Sequence, residues 1–160
     1  MPDGTIVITP TRASFSRLDV DDLVHLDAAG EPYHANQKPS VERPLHLAAY
    51  RAQPQSRFVV HTHPTYCVVW ANRGQLYPRT TVAAMESLAS MVWVPYEPSG
   101  SHELALACER ALGADVPLAL LERHGLIAVG TDIDEAFIQT DLAEACAKVA
   151  YLDALWSEPR

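Results

Sequence analysis

Residues 57–64 read RFVVHTHP, a short apolar run that ends in two histidines and a proline. An extended chain alternates its side chains between two faces, so His61 and His63 point one way and Thr62 the other. Pro64 has no N–H to offer a ladder and stops the strand. Two imidazoles converging at a strand end make half of a metal site. A catalytic zinc takes three protein ligands, with histidine nitrogens at about 2.0–2.1 Å. The rest of the chain must then supply a third ligand, a base and a pocket.

The chain has 160 residues, enough for one domain with a sizeable core. With a net charge of −8 and no basic run, nucleic acid and acidic membrane surfaces are poor partners. No apolar run approaches the ~20 residues of a membrane-spanning helix. The start, MPDGTIVITP, lacks the charged and apolar regions of a signal peptide. Cys67, Cys108 and Cys146 are widely spaced, odd in number and outside any C-x-x-C pair. That usage fits a reducing cytoplasm, with all three thiols structural rather than reactive.

Strands alternate with helices along the chain. Residues 5–9 (TIVIT) are β-rich and closed by Pro10, and residues 23–26 form a second strand, the two plausible as an antiparallel pair. Between them Ser16 can cap a single turn over residues 17–22. Ser40 is expected to cap a helix that runs to Gln53 with Val41, Leu45, Ala48, Ala49 and Ala52 on its inner stripe. Strand 58–61 follows, then a helix over 65–71, a helix over 81–90 with Val82, Met85 and Leu88 inward, and strand 91–94. Ser101 caps a helix over 102–112. Strands 117–121 and 126–129 flank a turn at Arg123-His124-Gly125 and read as a hairpin. A long helix over 134–155 closes the chain, its expected inner stripe being Ala136, Phe137, Leu142, Ala145, Val149, Leu152 and Leu155. Hairpins mixed with strand–helix units predict an α/β fold, a mixed sheet with helices on both faces.

His124 is the natural third ligand, in a turn between two apolar strands. Gly125 beside it permits φ > 0 or the close approach of another group. Glu42 is the candidate base, at a helix start where the macrodipole favours a carboxylate. His46, one turn further on, reads better as a packed histidine than as a ligand. An H-x-H pair also occurs in all-β barrels and in metal hydrolases on eight-stranded α/β barrels. This chain is too helical for the first and too short for the second. A structural zinc site would be closed by a fourth ligand, often cysteine, and no cysteine lies near these histidines in sequence. Three histidines with an open position is a catalytic arrangement.

The ordered motifs PSVERPLHLAAYRAQP, FVVHTHP, VPYEPSGSHELA and LLERHGLIAVG, followed by a long terminal helix, resemble the class II aldolase/adducin-head family. The likeness runs from ITPT at Ile8 to the last helix. It implies a three-layer α/β/α sandwich with a mixed central sheet, assembled as a homotetramer with its cleft at the subunit interface. It implies one zinc ion, or another divalent metal, on His61, His63 and His124. Glu42 matches the family's acid/base residue, and Thr11 and Ser40 match positions that help hold a substrate phosphate. The implied activity is retro-aldol cleavage of a small sugar phosphate through an enediolate. Related members decarboxylate 3-oxo-tetronate phosphates on much the same site. Adducin-type heads keep the fold but have lost the histidines, so an inactive or non-catalytic member is a third expectation.

Three departures bear on the pocket. Family members carry a further helix and strand before ITPT, with a phosphate-binding G-N-x-S-x-R loop, and residues 1–160 read as a single domain without them. The glycine after ITPT is Arg12 here, whose fork of donors could itself bind an anion. The second serine of P-S-S-E is Val41. The family's proton-donating tyrosines find no match either: Thr81 aligns with one, and Tyr33, Tyr77 and Tyr96 fit no motif.

Overall fold

The structure is a computed structural model that describes residues 4–113 and 115–157. In chain order the elements are β1 (Ile6–Ile8), β2 (Val24–Leu26), α1 (Arg43–Ala52), β3 (Phe58–Thr62), α2 (Thr65–Ala71), α3 (Val82–Glu86), β4 (Val92–Val94), α4 (His102–Leu112), β5 (Leu118–Leu121), β6 (Gly125–Gly130) and α5 (Ile133–Ser157). Single 3-10 turns at Phe15–Arg17 and Val20–Asp22 lie between β1 and β2, which pair antiparallel. The main sheet has the order β3-β6-β5-β4. Its β4–β5 pairing is parallel and the other two are antiparallel, so the sheet is mixed, as the strand–helix alternation predicted.

The sheet is covered on both faces, and the period of two decides which residue goes where. Leu118 and Leu120 of β5 join Cys67, Trp70, Ala84 and Ala147 beneath α2, α3 and α5. Ala119 and Leu121 join Leu45, Ala49, Leu104, Cys108 and Leu112 beneath α1 and α4. All of β5 and β6 is buried, which is why LALL and GLIAVG are unbroken apolar runs rather than alternating ones. β3 lies at the edge and is only half-buried, so its end is open to the site. The three-layer α/β/α sandwich is therefore observed. No helix among the described residues is long and apolar enough to cross a membrane.

The helices differ from their sequence reading in three places. α1 begins at Arg43 with Glu42 as its cap. Ser40 sits one turn earlier, its carbonyl accepting the Arg43 amide, and Val41 is exposed rather than inward. α3 is shorter than 81–90. Ala84 and Leu88 are buried while Val82 and Met85 face out, because Thr81 caps the helix and sets its phase.

The third difference is on α5. Its buried stripe is Ala136, Thr140, Ala143, Ala147 and Ala150, at helical spacing. Phe137, Val149, Leu152 and Leu155, expected inside, are exposed, and so is Ala145. The reason is distance. α5 lies so close to the sheet that a Cβ added at Gly130 would come within 2.7 Å of the Ala136 amide nitrogen. Trp70 also donates its indole N–H to the Ala147 carbonyl at 3.0 Å. Only small side chains fit that seam.

Candidate metal centre and active site

The register of two strands assembles the histidines. β3 and β6 pair antiparallel with Thr62 opposite Leu126. One step further along the ladder, His63 meets Gly125, and His124 follows in the β5–β6 turn. A Cβ on Gly125 would fall 2.2 Å from the Thr62 carbonyl and 2.7 Å from the His63 ring. Close approach is thus what Gly125 permits. The positive φ of the turn (58°) belongs to Arg123 instead.

The rings of His61, His63 and His124 form a nearly equilateral triangle, with centroids 4.8–5.0 Å apart. Their ligating nitrogens all lie within 4.8 Å of one another, and His46 is outside the group. Nε2 of His61 and Nε2 of His63 are 3.2 Å apart. Two nitrogens on a tetrahedral zinc at about 2.05 Å would stand about 3.3 Å apart. His61 Nδ1 lies 2.8 Å from the Leu126 carbonyl, so that nitrogen carries the proton and Nε2 keeps its lone pair for the centre of the triangle. Burial pushes His61 down to about 3, against the opposing pull of the Leu126 bond, and the neighbouring histidines add to the depression. His124 is lowered too, chiefly by burial, with Glu42 opposing. Both depressions favour the neutral form of His61 and His124, the form that ligates metal. The donor set fits a divalent cation.

Glu42 is 6% exposed and held by a neighbouring loop rather than by its own helix. Oε1 accepts the Ser99 hydroxyl, and Oε2 accepts the Gly100 amide at 3.1 Å. Oε1 also lies 3.6 Å from His124 Nε2. The helix dipole is therefore only part of what holds this carboxylate; the loop satisfies its oxygens.

A cavity of about 860 Å³ brings the site residues together. Thr11, Ser40, Glu42, His61, His63 and His124 all line it. Thr11 and Ser40 meet because residues 9–11 run beside 38–40: Thr11 donates its amide to Lys38, and Ser40 donates to Thr9. Arg12 lines the same cavity and holds left-handed backbone (φ 58°), a conformation that favours glycine. Thr81 is elsewhere, capping α3 and touching Cys146. Tyr33, Tyr77 and Tyr96 are not in the cavity lining. Tyr50, which the sequence reading passed over, does line it, with its hydroxyl donating to the Arg57 carbonyl. Ser99 was missed as well, because a serine in E-P-S-G-S reads only as turn chemistry. The three cysteines are buried and free. Burial pushes Cys108 up to about 12 and Cys67 higher still, so neither is a nucleophile.

Three comparisons place this geometry among known proteins. The profile of the family described as Class II Aldolase and Adducin N-terminal domain matches residues 1–151. An L-fuculose phosphate aldolase of Methanococcus vannielii is 33% identical over 94% of this chain and 80% of its own length. A 3-oxo-tetronate 4-phosphate decarboxylase of Haemophilus influenzae is 31% identical over 94% of this chain and 73% of its own. A solved L-fuculose 1-phosphate aldolase superposes with a TM-score of 0.84 at 26% identity, covering 98% of this chain and 74% of that one.

Proposed function

The chain belongs to the class II aldolase and adducin N-terminal domain family, and we propose that it is a metal-dependent lyase cleaving a small sugar phosphate by a retro-aldol step. The observation that carries this reading is the meeting of three histidines with a buried carboxylate, 3.6 Å from His124, in one cavity. Here His61, His63 and His124 would hold one divalent cation, zinc by the donor set. Held there, it supplies Lewis-acid polarisation of a substrate carbonyl.

Glu42 is the proton carrier. Two hydrogen bonds hold its oxygens in place, and its burial keeps water from competing. In cleavage the hydroxyl on the aldehyde-forming carbon gives its proton to Glu42, the carbon–carbon bond beside it breaks, and the electron pair stays on the ketone-derived fragment. Glu42 delivers the proton to that fragment's carbon and takes one from the substrate in the reverse direction. Thr11 and Ser40 bind the substrate phosphate, and Arg12, next in the chain to Thr11 and also in the cavity lining, adds a guanidinium. The chain acts as one domain, a cytoplasmic homotetramer. The exposed Phe137, Ile138, Leu152 and Trp156 on α5 support self-association.

A second reading, decarboxylation of a 3-oxo-tetronate phosphate, is favoured by the Haemophilus influenzae relative. Product analysis separates the two. The lyase reading predicts equal amounts of an aldehyde and a phosphorylated ketone from L-fuculose 1-phosphate. Carbon dioxide from 3-oxo-tetronate 4-phosphate, with no aldehyde from the first substrate, would establish the second. Neither product from zinc-loaded protein would contradict both.

A further inference from the structure

Between β4 and α4, residues 95–101 form a loop that puts Ser99 in the cavity wall. The loop is tied down at both ends. The Tyr96 amide donates to the Glu122 carboxylate at 3.1 Å, and Ser101 caps α4 by accepting the Leu104 amide at 3.1 Å. Its bend is set by the backbone: Ser101 donates to the Pro98 carbonyl, and Gly100 takes a φ of 71°. A Cβ on Gly100 would come 2.9 Å from the Val41 carbonyl, so the loop rests on the backbone just before Glu42.

None of these constraints uses the side chain of Ser99. Among the described residues its hydroxyl has one partner, Oε1 of Glu42, and Ser99 also lines the cavity. Oε1 is the oxygen that faces His124. Gly100 holds the other oxygen. A glutamate has three rotatable bonds, and its own helix gives this one no side-chain hydrogen bond. The pair Ser99–Gly100 is therefore what fixes the plane of the carboxylate.

We infer that Ser99 is a positioning residue for Glu42, its hydroxyl holding the carboxylate in the orientation needed for proton transfer. The inference rests on Glu42 being the proton carrier, and its test separates the two ideas. The full chain, zinc-loaded, is compared as wild type, Ser99→Ala and Ser99→Thr. Amide hydrogen exchange at Gly100, read on a peptide covering residues 97–104, needs no substrate. It should quicken about tenfold in Ser99→Ala, because a loosened carboxylate is a poorer acceptor, and stay near wild type in Ser99→Thr. On L-fuculose 1-phosphate, kcat of Ser99→Ala should fall about 10- to 100-fold with KM within about twofold, and Ser99→Thr should recover most of it. Unchanged Gly100 exchange in Ser99→Ala overturns the inference. So does equal impairment of both variants, or loss of zinc or of cooperative unfolding in Ser99→Ala, which would assign Ser99 to the fold. If wild type cleaves nothing, the lyase reading fails and the exchange result alone decides the role of Ser99.

Discussion

Glu42 differs from an ordinary helix-start glutamate in its surroundings: a serine hydroxyl, a glycine amide and the His124 ring. Replacing it tests its role without disturbing the metal. Glu42→Gln keeps the shape, and wild-type zinc content is expected with turnover down by about 10²–10⁴. Equal activity in the two proteins would remove Glu42 from the chemistry. His46 makes a prediction about stability. Burial pushes it down to about 4, with Glu42 opposing. A histidine depressed in the fold is protonated first in the unfolded chain. Its contribution is thus fully present above about pH 6.5 and is lost as pH falls towards 4. Urea titrations of metal-free protein should show stability dropping on the order of 2–3 kcal/mol across that window from His46, with His46→Leu flattening the slope. At this scale His61 and His63 were legible because H-x-H on a strand puts both rings on one face, and His124 because it stands beside a glycine in a turn between two apolar strands. Ser99 was not, since its role depends on a contact with a residue 57 positions away in sequence.

Two contacts between elements hold the site in place, and each predicts a loss. α2 starts directly after the histidine strand, and Pro64 gives it no side-chain cap. Its first amides, from Tyr66 and Cys67, donate instead to Glu144 of α5 at 2.9–3.0 Å. Glu144→Ala should cost about 1–3 kcal/mol by urea midpoint, and Glu144→Gln, which keeps an acceptor, less. Gly125 is the contact between β3 and β6. Gly125→Ala must push the Thr62 backbone and the His63 ring aside, at a cost of about 1–3 kcal/mol or more and a tenfold or greater loss of zinc affinity by competition with a chelator. Wild-type stability and affinity together would show that the strands yield more easily than the packing implies. The central strands were readable in LALL and GLIAVG, because a strand buried on both faces is apolar throughout. The inner face of α5 was not. Alanine and phenylalanine both count as apolar, and only the closeness of the sheet decides that alanine goes inside.

For the whole molecule, the sheet order follows from the run of strand–helix units and one hairpin, and it places β3 at an edge with its histidine end open. What a single chain leaves unexplained is the outer face of α5, where Phe137, Ile138, Leu152 and Trp156 meet solvent. A homotetramer predicts about four times the 17.6 kDa chain mass by light scattering, falling in Phe137→Asp if this face is part of the contact. A monomeric wild type would contradict the assembly. The account as a whole depends on the histidine triangle being a working metal centre. Protein stripped with a chelator and titrated with zinc, read at each point for bound metal and for cleavage of L-fuculose 1-phosphate, tests that directly. Cleavage should rise in parallel with zinc, saturate at about one equivalent per chain, and fail to appear in His61→Ala. Full cleavage by the stripped protein, or zinc binding that His61→Ala leaves intact, would contradict it.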